Sequence, residues 1–427
     1  MKKVLMVMMS VLLVASMVPG VYAADKIKLT MLEYQDLNDA VDMANLDELM
    51  SAFAKLHPDI ELEMDFGFSE AYHDKLRTVF AGGELPDVMF LWPGKRTGYV
   101  TSSGMIKDLR PWIKGHEAEF AAGALNPQGP NGEIYELPEQ MTATHVMYTN
   151  EKLLKDLGLT FPKTLDELIA QGETIRAAGL IPIAMDNKDG WQMQSCLLSA
   201  LTERAGGMDW YNKAIKGDGA SFADPEFINA LSVIDTLAKN EMFSPGINQA
   251  DYGVAMTDFV NERAVYAIDG GWRVNLLVGE LTDEQKAYVK LNTLPDIPNQ
   301  KGQSGSTAMV AGTGYGMNAN LEGEKAEAAW TWIWFYSGPE GSKIRQKQGA
   351  MTAYNLPVSD DMDVLIKRLN EFVAGTPSGY VIDAVMDAEG MAGLHAGLQE
   401  MILGKKTPEQ VAQEYEAWVA ENDSARK

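Results

Sequence analysis

The sequence predicts an α/β protein of two lobes, each a mostly parallel sheet flanked by helices, with crossing segments joining them. Three observations predict it. Strand and helix patterns alternate from the end of an N-terminal apolar leader, that rhythm restarts near residue 145, and 427 residues exceed what one hydrophobic core usually supports.

In "IKLTML" the apolar residues Ile27, Leu29 and Met31 alternate with polar ones, as do Ile60, Leu62, Met64 and Phe66 in "IELEMDF". Val88 to Trp92 is a continuous apolar run of the kind parallel strands show. Helical stretches over 45–56 and 70–81 separate them, giving β-α-β-α-β with right-handed crossovers. Ligands of such sheets sit beyond the carboxyl ends of the strands, where Glu33-Tyr34-Gln35 and Trp92 to Arg96 fall.

The second block opens with Asn150 as the cap of a helix carrying Leu153, Leu154 and Leu157 and ending at Gly158. Thr164 and Glu167 form a capping-box pattern for the next helix, and Ile181 to Met185 reads as a strand. Thr407-Pro408-Glu409-Gln410 starts a last helix that presents Val411, Tyr415 and Trp418 on one face. No fixed-period repeat and no long Pro/Ser linker occurs, so short crossing strands join the lobes.

The leader "MKKVLMVMMSVLLVASMVPGVYA" pairs two lysines with an apolar run, a Pro-Gly break and small residues before Ala24, which predicts a cleavable secretory signal over 1–23. No cysteine at the cleavage site marks lipid attachment, so a freely diffusing periplasmic protein is expected. The chain carries 36 basic against 60 acidic residues, and losing the leader makes it more negative still. Such a chain repels nucleic acid and anionic lipid. The one cysteine, Cys196, cannot form an internal disulfide.

The five histidines are scattered without a metal-ligand spacing, and "SDDMD" (Ser359 to Asp363) is a short acidic run rather than a calcium loop. "GTGYG" is not a dinucleotide fingerprint, "GKKT" lacks the upstream glycine of a phosphate loop, and no nucleophile elbow occurs. No metal, cofactor or catalytic residue is expected. Paired carboxylates remain open, because only their separation in space decides.

Trp330, Trp332 and Trp334 lie in an amphipathic helical pattern and read as core, as do Trp112 and Trp418. Trp92, Trp191 and Trp272 stand beside turns, in "LWPG", "DGW" and "DGGW". Rings at the rim of a cleft can stack on a pyranose face while polar neighbours take its hydroxyls. Arg96 suits either hydroxyls or a surface salt bridge.

The ordered pieces "GGELPDVMFLW", "SGMIKDLRPWI", "GEIYELPEQ", "MYTNEKLLKDLGLTFPKTLDEL", "FVNERAVYAIDGGW", "EAAWTWIWFYSGPEGSKI" and "LGKKTPEQVAQEYEAW" carry a resemblance. The chain resembles the maltose-binding-protein-like extracellular solute-binding proteins (family 1) that feed ABC sugar importers. The resemblance implies the two-lobe periplasmic-binding-protein fold. Its lobes would be 24–144 plus 311–356 and 145–310 plus 357–427, closing about crossings near His145, Val310 and Leu356.

It also implies ligand contacts by position. Trp92, Lys95 and Arg96 match a segment that places a tryptophan, an acid and an arginine on the sugar, with Lys95 standing where the family has the acid. Trp272 matches a stacking tryptophan, Trp191 an aromatic of the second lobe, and Gln140 a polar contact after "LP". Tyr34 and Glu33 follow the first strand. Asp269 and Arg273 beside Trp272, and Tyr315, complete the set.

The expected function is a monomeric periplasmic protein that captures a carbohydrate between hinged lobes and delivers it to the membrane permease of an ABC transporter. Three candidate stacking rings suggest an oligosaccharide. A secreted glycoside hydrolase, a non-sugar binding protein and an adhesion module are the rival readings.

Overall fold

The computed structural model describes residues 26–126, 128–376 and 378–426. The signal read over 1–23 lies outside the described residues. Among them, no helix is long and apolar enough to cross a membrane.

The first sheet contains strands β1 (Ile27–Tyr34), β2 (Ile60–Gly67), β3 (Val88–Leu91), β4 (Leu137–Pro138) and β11 (Gly314–Met317), in the order β2-β1-β3-β11-β4. β1 pairs in parallel with β2 from Ile27↔Ile60 to Tyr34↔Gly67 and in parallel with β3. β11 returns antiparallel to both β3 and β4. The expected helices are present as Ala40–Leu56, capped by the Asp39 carboxylate on the Val41 and Asp42 amides, and Ser69–Gly82, ended by Gly83 at φ 70°. They bury Leu49, Phe53, Tyr72 and Leu76 in a core shared with Leu29, Leu91 and Trp332.

The second sheet contains β6 (Val146–Asn150), β7 (Ile181–Ala184), β8 (Ala264–Asp269) and β9 (Val289–Asn292), in the order β7-β8-β6-β9. Only β7 and β8 are parallel, and β6 runs antiparallel to β8 and β9. Both sheets are therefore more mixed than "mostly parallel", because each takes a strand returning from the other lobe. Asn150 caps its helix through the Leu153 amide, and Thr164 accepts from the Glu167 amide. The Glu167 carboxylate reaches the Lys163 amide instead of that of Thr164, one residue short of a closed box. At Thr407 and Gln410 the capping box is complete.

A third sheet, β12 (Ser378–Gly379), β10 (Thr307–Ala311) and β5 (Met141–Ala143), bridges the two bodies. Here Met309 opposes Ala143 and Val310 opposes Thr142. His145 beside it is fully buried. Leu294 donates its amide to Nε2, so Nδ1 carries the proton and donates to the Cys196 carbonyl. Burial pushes this imidazole down to about 3, so it stays neutral at the crossing.

Trp332 is interred as expected, and Trp330 and Trp334 are half-buried and pack against the same core. Trp330 stacks on Trp334 at a centroid distance of 5.7 Å and on Trp112 at 6.2 Å.

Candidate ligand-binding site

The carboxyl ends of the parallel strands in both lobes point at one another across a gap. β1 ends in Glu33 and Tyr34, β3 runs into Trp92, β7 leads to Trp191, and β8 runs through Asp269 to Trp272. A cavity of about 300 Å³ lies between them, walled by Trp92, Trp191 and Trp272 together.

Each lobe supplies an aromatic half. On one side Trp92 meets Tyr34 edge-on at 4.9 Å, with Phe68 5.1 Å from Tyr34. On the other side Trp191 lies 4.6 Å from Tyr252 and 6.1 Å from Trp272. Phe68 and Tyr252 close the ring of aromatics across the gap at 5.9 Å. Trp272 Nε1 donates to the Tyr252 hydroxyl at 2.6 Å, which fixes the tilt of both rings. Tyr252, Phe68, Asp42 and Arg345 also line the cavity and were not singled out from sequence. Tyr252 sits in an undistinguished "DYG", and only the lobe-to-lobe fold brings it here.

The polar groups are held from behind. The hinge strand turns Gln140, Thr142 and Thr144 to the cavity at every second residue. Arg273 lies 3.9 Å over the Tyr252 ring and is anchored through Nε to Asp269 at 3.1 Å. Burial works against its charge, but Tyr252 and Asp269 more than compensate and raise its pKa. Among the described residues its remaining two nitrogens make no hydrogen bond, which leaves them able to donate into the cavity, whose wall Arg273 forms. Asp186, pushed up to about 7 by burial, accepts the Gly253 and Ala255 amides and so fixes the turn that carries Tyr252. Glu33 is pushed up to about 8 by burial and accepts the Tyr315 hydroxyl at 2.6 Å. Asp42, pushed up to about 6 by burial, accepts the Asn275 amide across the gap at 3.1 Å.

Of the residues expected to touch a ligand, Trp92, Trp191, Trp272, Tyr34, Glu33, Gln140, Arg96 and Arg273 line this cavity. Three expectations need correction. Tyr315 is fully buried and serves as the support of Glu33. Asp269 lies behind the wall, with its oxygens on Arg273, Tyr252 and the Gly270 amide. Lys95 turns away, pairing across the lobes with Asp387 at 3.1 Å and Asp423 at 3.2 Å. Arg96 reaches the cavity, but its nitrogens already hold Glu70, Asp383 and His73. Ser69, at a left-handed φ of 51°, accepts from Trp191 Nε1 and donates to Asp189, so a strained residue marks another lobe contact.

The model of the bacterial extracellular solute-binding proteins matches residues 38–343, well over half of the chain. The chain belongs to that family. A multiple sugar-binding protein of Streptococcus mutans is 26% identical to this solute-binding protein over 266 residues, 56% of this chain and 57% of the relative. The matched part spans about half the length of the curated relatives. Among solved structures, one from work on xylan utilisation by the thermophilic Caldanaerobius polysaccharolyticus superposes with a TM-score of 0.82 at 20% identity, covering 92% of this chain and 99% of its own. A maltose-bound protein of T. maritima gives 0.73 at 19%, covering 92% and 98%. These superpositions establish the two-lobe fold of the solute-binding protein.

Proposed function

We propose that this solute-binding protein captures a carbohydrate in the cavity between its lobes and hands it, unaltered, to the membrane permease of an ABC transporter. The observation that carries the reading is the meeting of Trp92, Trp191 and Trp272 around one cavity with Gln140 and Arg273 in the same wall. Flat apolar rings with a few convergent donors and acceptors suit the alternating C–H faces and hydroxyl edges of a sugar. The relatives named for sugar binding support the same substrate class.

Residues 24–144 plus 311–356 and residues 145–310 plus 357–427 move as the two lobes, hinged where β5 and β10 cross. Ligand contacts made to both lobes favour the closed form, since a ligand touching the open and closed forms equally shifts nothing. The protein performs no chemistry on its guest and works as a monomer in the periplasm.

A glycan panel read by intrinsic tryptophan fluorescence and thermal shift tests the reading. A responding sugar should change the emission and raise the melting temperature together, because it binds only the folded state. Silence across the panel refutes carbohydrate capture, and release of shorter sugars from an incubated oligosaccharide refutes the absence of chemistry.

A further inference from the structure

The gap between the lobes holds two chambers. Beside the aromatic cavity lies a second space of about 1810 Å³, also lined by both lobes, with Tyr99, Tyr380, His395 and Trp418 among its walls. Pro93, Arg96, His73 and Ala384 line both chambers, as do Val310, Ala311 and Ala350 on the hinge side, so the two chambers adjoin along the turn after β3.

That junction is a clasp. The turn after β3 brings Gly94 against Ala384 so closely that a Cβ would stand 2.2 Å from the Ala384 carbonyl oxygen, and Gly94 has a left-handed φ of 71° besides. The Lys95 amide donates to that same carbonyl at 3.1 Å. Lys95 Nζ then holds Asp387, Asp423 and Ser424, and Arg96 holds Asp383 at 3.1 Å. One half of this clasp belongs to each lobe, so it exists only when the lobes are shut.

We infer that the clasp between the Pro93–Arg96 turn and Asp383–Asp387 is the end stop of the sugar chamber and selects short saccharides. The inference rests on the carbohydrate reading above. A chain running from the inner to the outer chamber past this turn would meet the Gly94–Ala384 contact, where not even a methyl group fits, and would hold the lobes apart. A guest confined to about 300 Å³, the lower end of small-molecule sites, has about one or two sugar rings. The Lys95 and Arg96 charges thus act on length selection without donating to the guest in the Lys95 case at all.

The test is calorimetric titration with a homologous series, from monosaccharide to pentasaccharide, of the sugar that the panel identifies. The wild-type protein should bind the longer members at least tenfold more weakly than the best short one. Lys95→Ala, whose side chain lies outside the sugar chamber, should shrink that ratio at least threefold, with circular dichroism and melting showing a folded protein. Gly94→Ala, which props the turn off Ala384, should shrink it further. Equal affinity for short and long chains overturns the end stop while leaving carbohydrate capture standing. Equal weakening of all lengths by Lys95→Ala also overturns it, because the clasp would then serve closure alone. Absence of binding by any member overturns the carbohydrate reading and the end stop with it.

Discussion

Two strand ends in this protein use nearly the same chemistry for different purposes. After β3 come Trp92, Pro93, Gly94, Lys95 and Arg96, and after β8 come Gly270, Gly271, Trp272 and Arg273. Each delivers an indole to the cavity and places a cation next to it. Arg273 finds its counter-ion in its own lobe, Asp269 at the end of β8, and keeps its outer nitrogens for the cavity. Lys95 and Arg96 find theirs largely in the opposite lobe, at Asp383, Asp387 and Asp423. A cation paired within its lobe is preorganised for a guest, whereas one paired across the gap holds the gap shut. Local sequence does not distinguish the two, since the deciding carboxylates lie hundreds of residues away in one case and four in the other.

The largest test of this contrast is Asp269→Ala. It strands the buried Arg273 charge and should cost roughly 3–5 kcal/mol in urea unfolding. A loss below about 1 kcal/mol would mean that Arg273 does not depend on its own lobe for its charge. Next, Trp272→Ala should weaken sugar binding by about 2 kcal/mol or more with the free protein still folded, as loss of a buried aromatic anchor does. Unchanged affinity would make Trp272 a packing residue and remove the parallel between the strand ends.

Glu33 sharpens the comparison from the acid side. Asp269 holds an arginine by a direct ion pair, whereas Glu33, at the end of β1, accepts the Tyr315 hydroxyl and is pushed up to about 8 by burial, which outweighs the more distant Arg345 charge. A carboxyl whose folded value lies above its ordinary 4.5 holds a proton that the unfolded chain releases. Its contribution is therefore whole below about pH 4.5 and is lost as pH rises through about 8. Glu33→Gln should flatten the fall in stability across that window, read from unfolding curves at several pH values. An unaltered slope would assign the pH dependence elsewhere.

The smallest effect is expected at Lys95, which is about a quarter exposed. Lys95→Ala should lower stability by about 0.5–1 kcal/mol in dilute buffer and by less in high salt, where the ion pairs are screened. Salt-independent loss would point to packing instead of charge.

Much of the frame was legible. Period-two alternation placed β1 and β2, capping residues placed the helix starts at Asn150, Thr164 and Thr407, and turn-flanking positions separated Trp92, Trp191 and Trp272 from the buried Trp332. The mixed direction of the sheets was not legible, because β11 and β6 pair with partners far off in sequence. Tyr252 and Phe68 escaped notice for the same reason. The helical pattern around Trp330, Trp332 and Trp334 marks a ridge of large residues that pack on the core without saying which of them is interred, and only Trp332 of the three is.

Residue order alone determined the local elements, the acidic surface charge and the indoles at strand ends, since these follow from backbone periodicity, turn chemistry and composition acting over a few residues. Only the tertiary structure decided that Lys95 faces Asp423, that Tyr315 stands under Glu33, and that Gly94 meets Ala384 between two adjoining chambers. Those outcomes depend on which lobe surfaces meet when the gap closes, and pairing energies between groups so distant along the chain leave no mark on its local pattern.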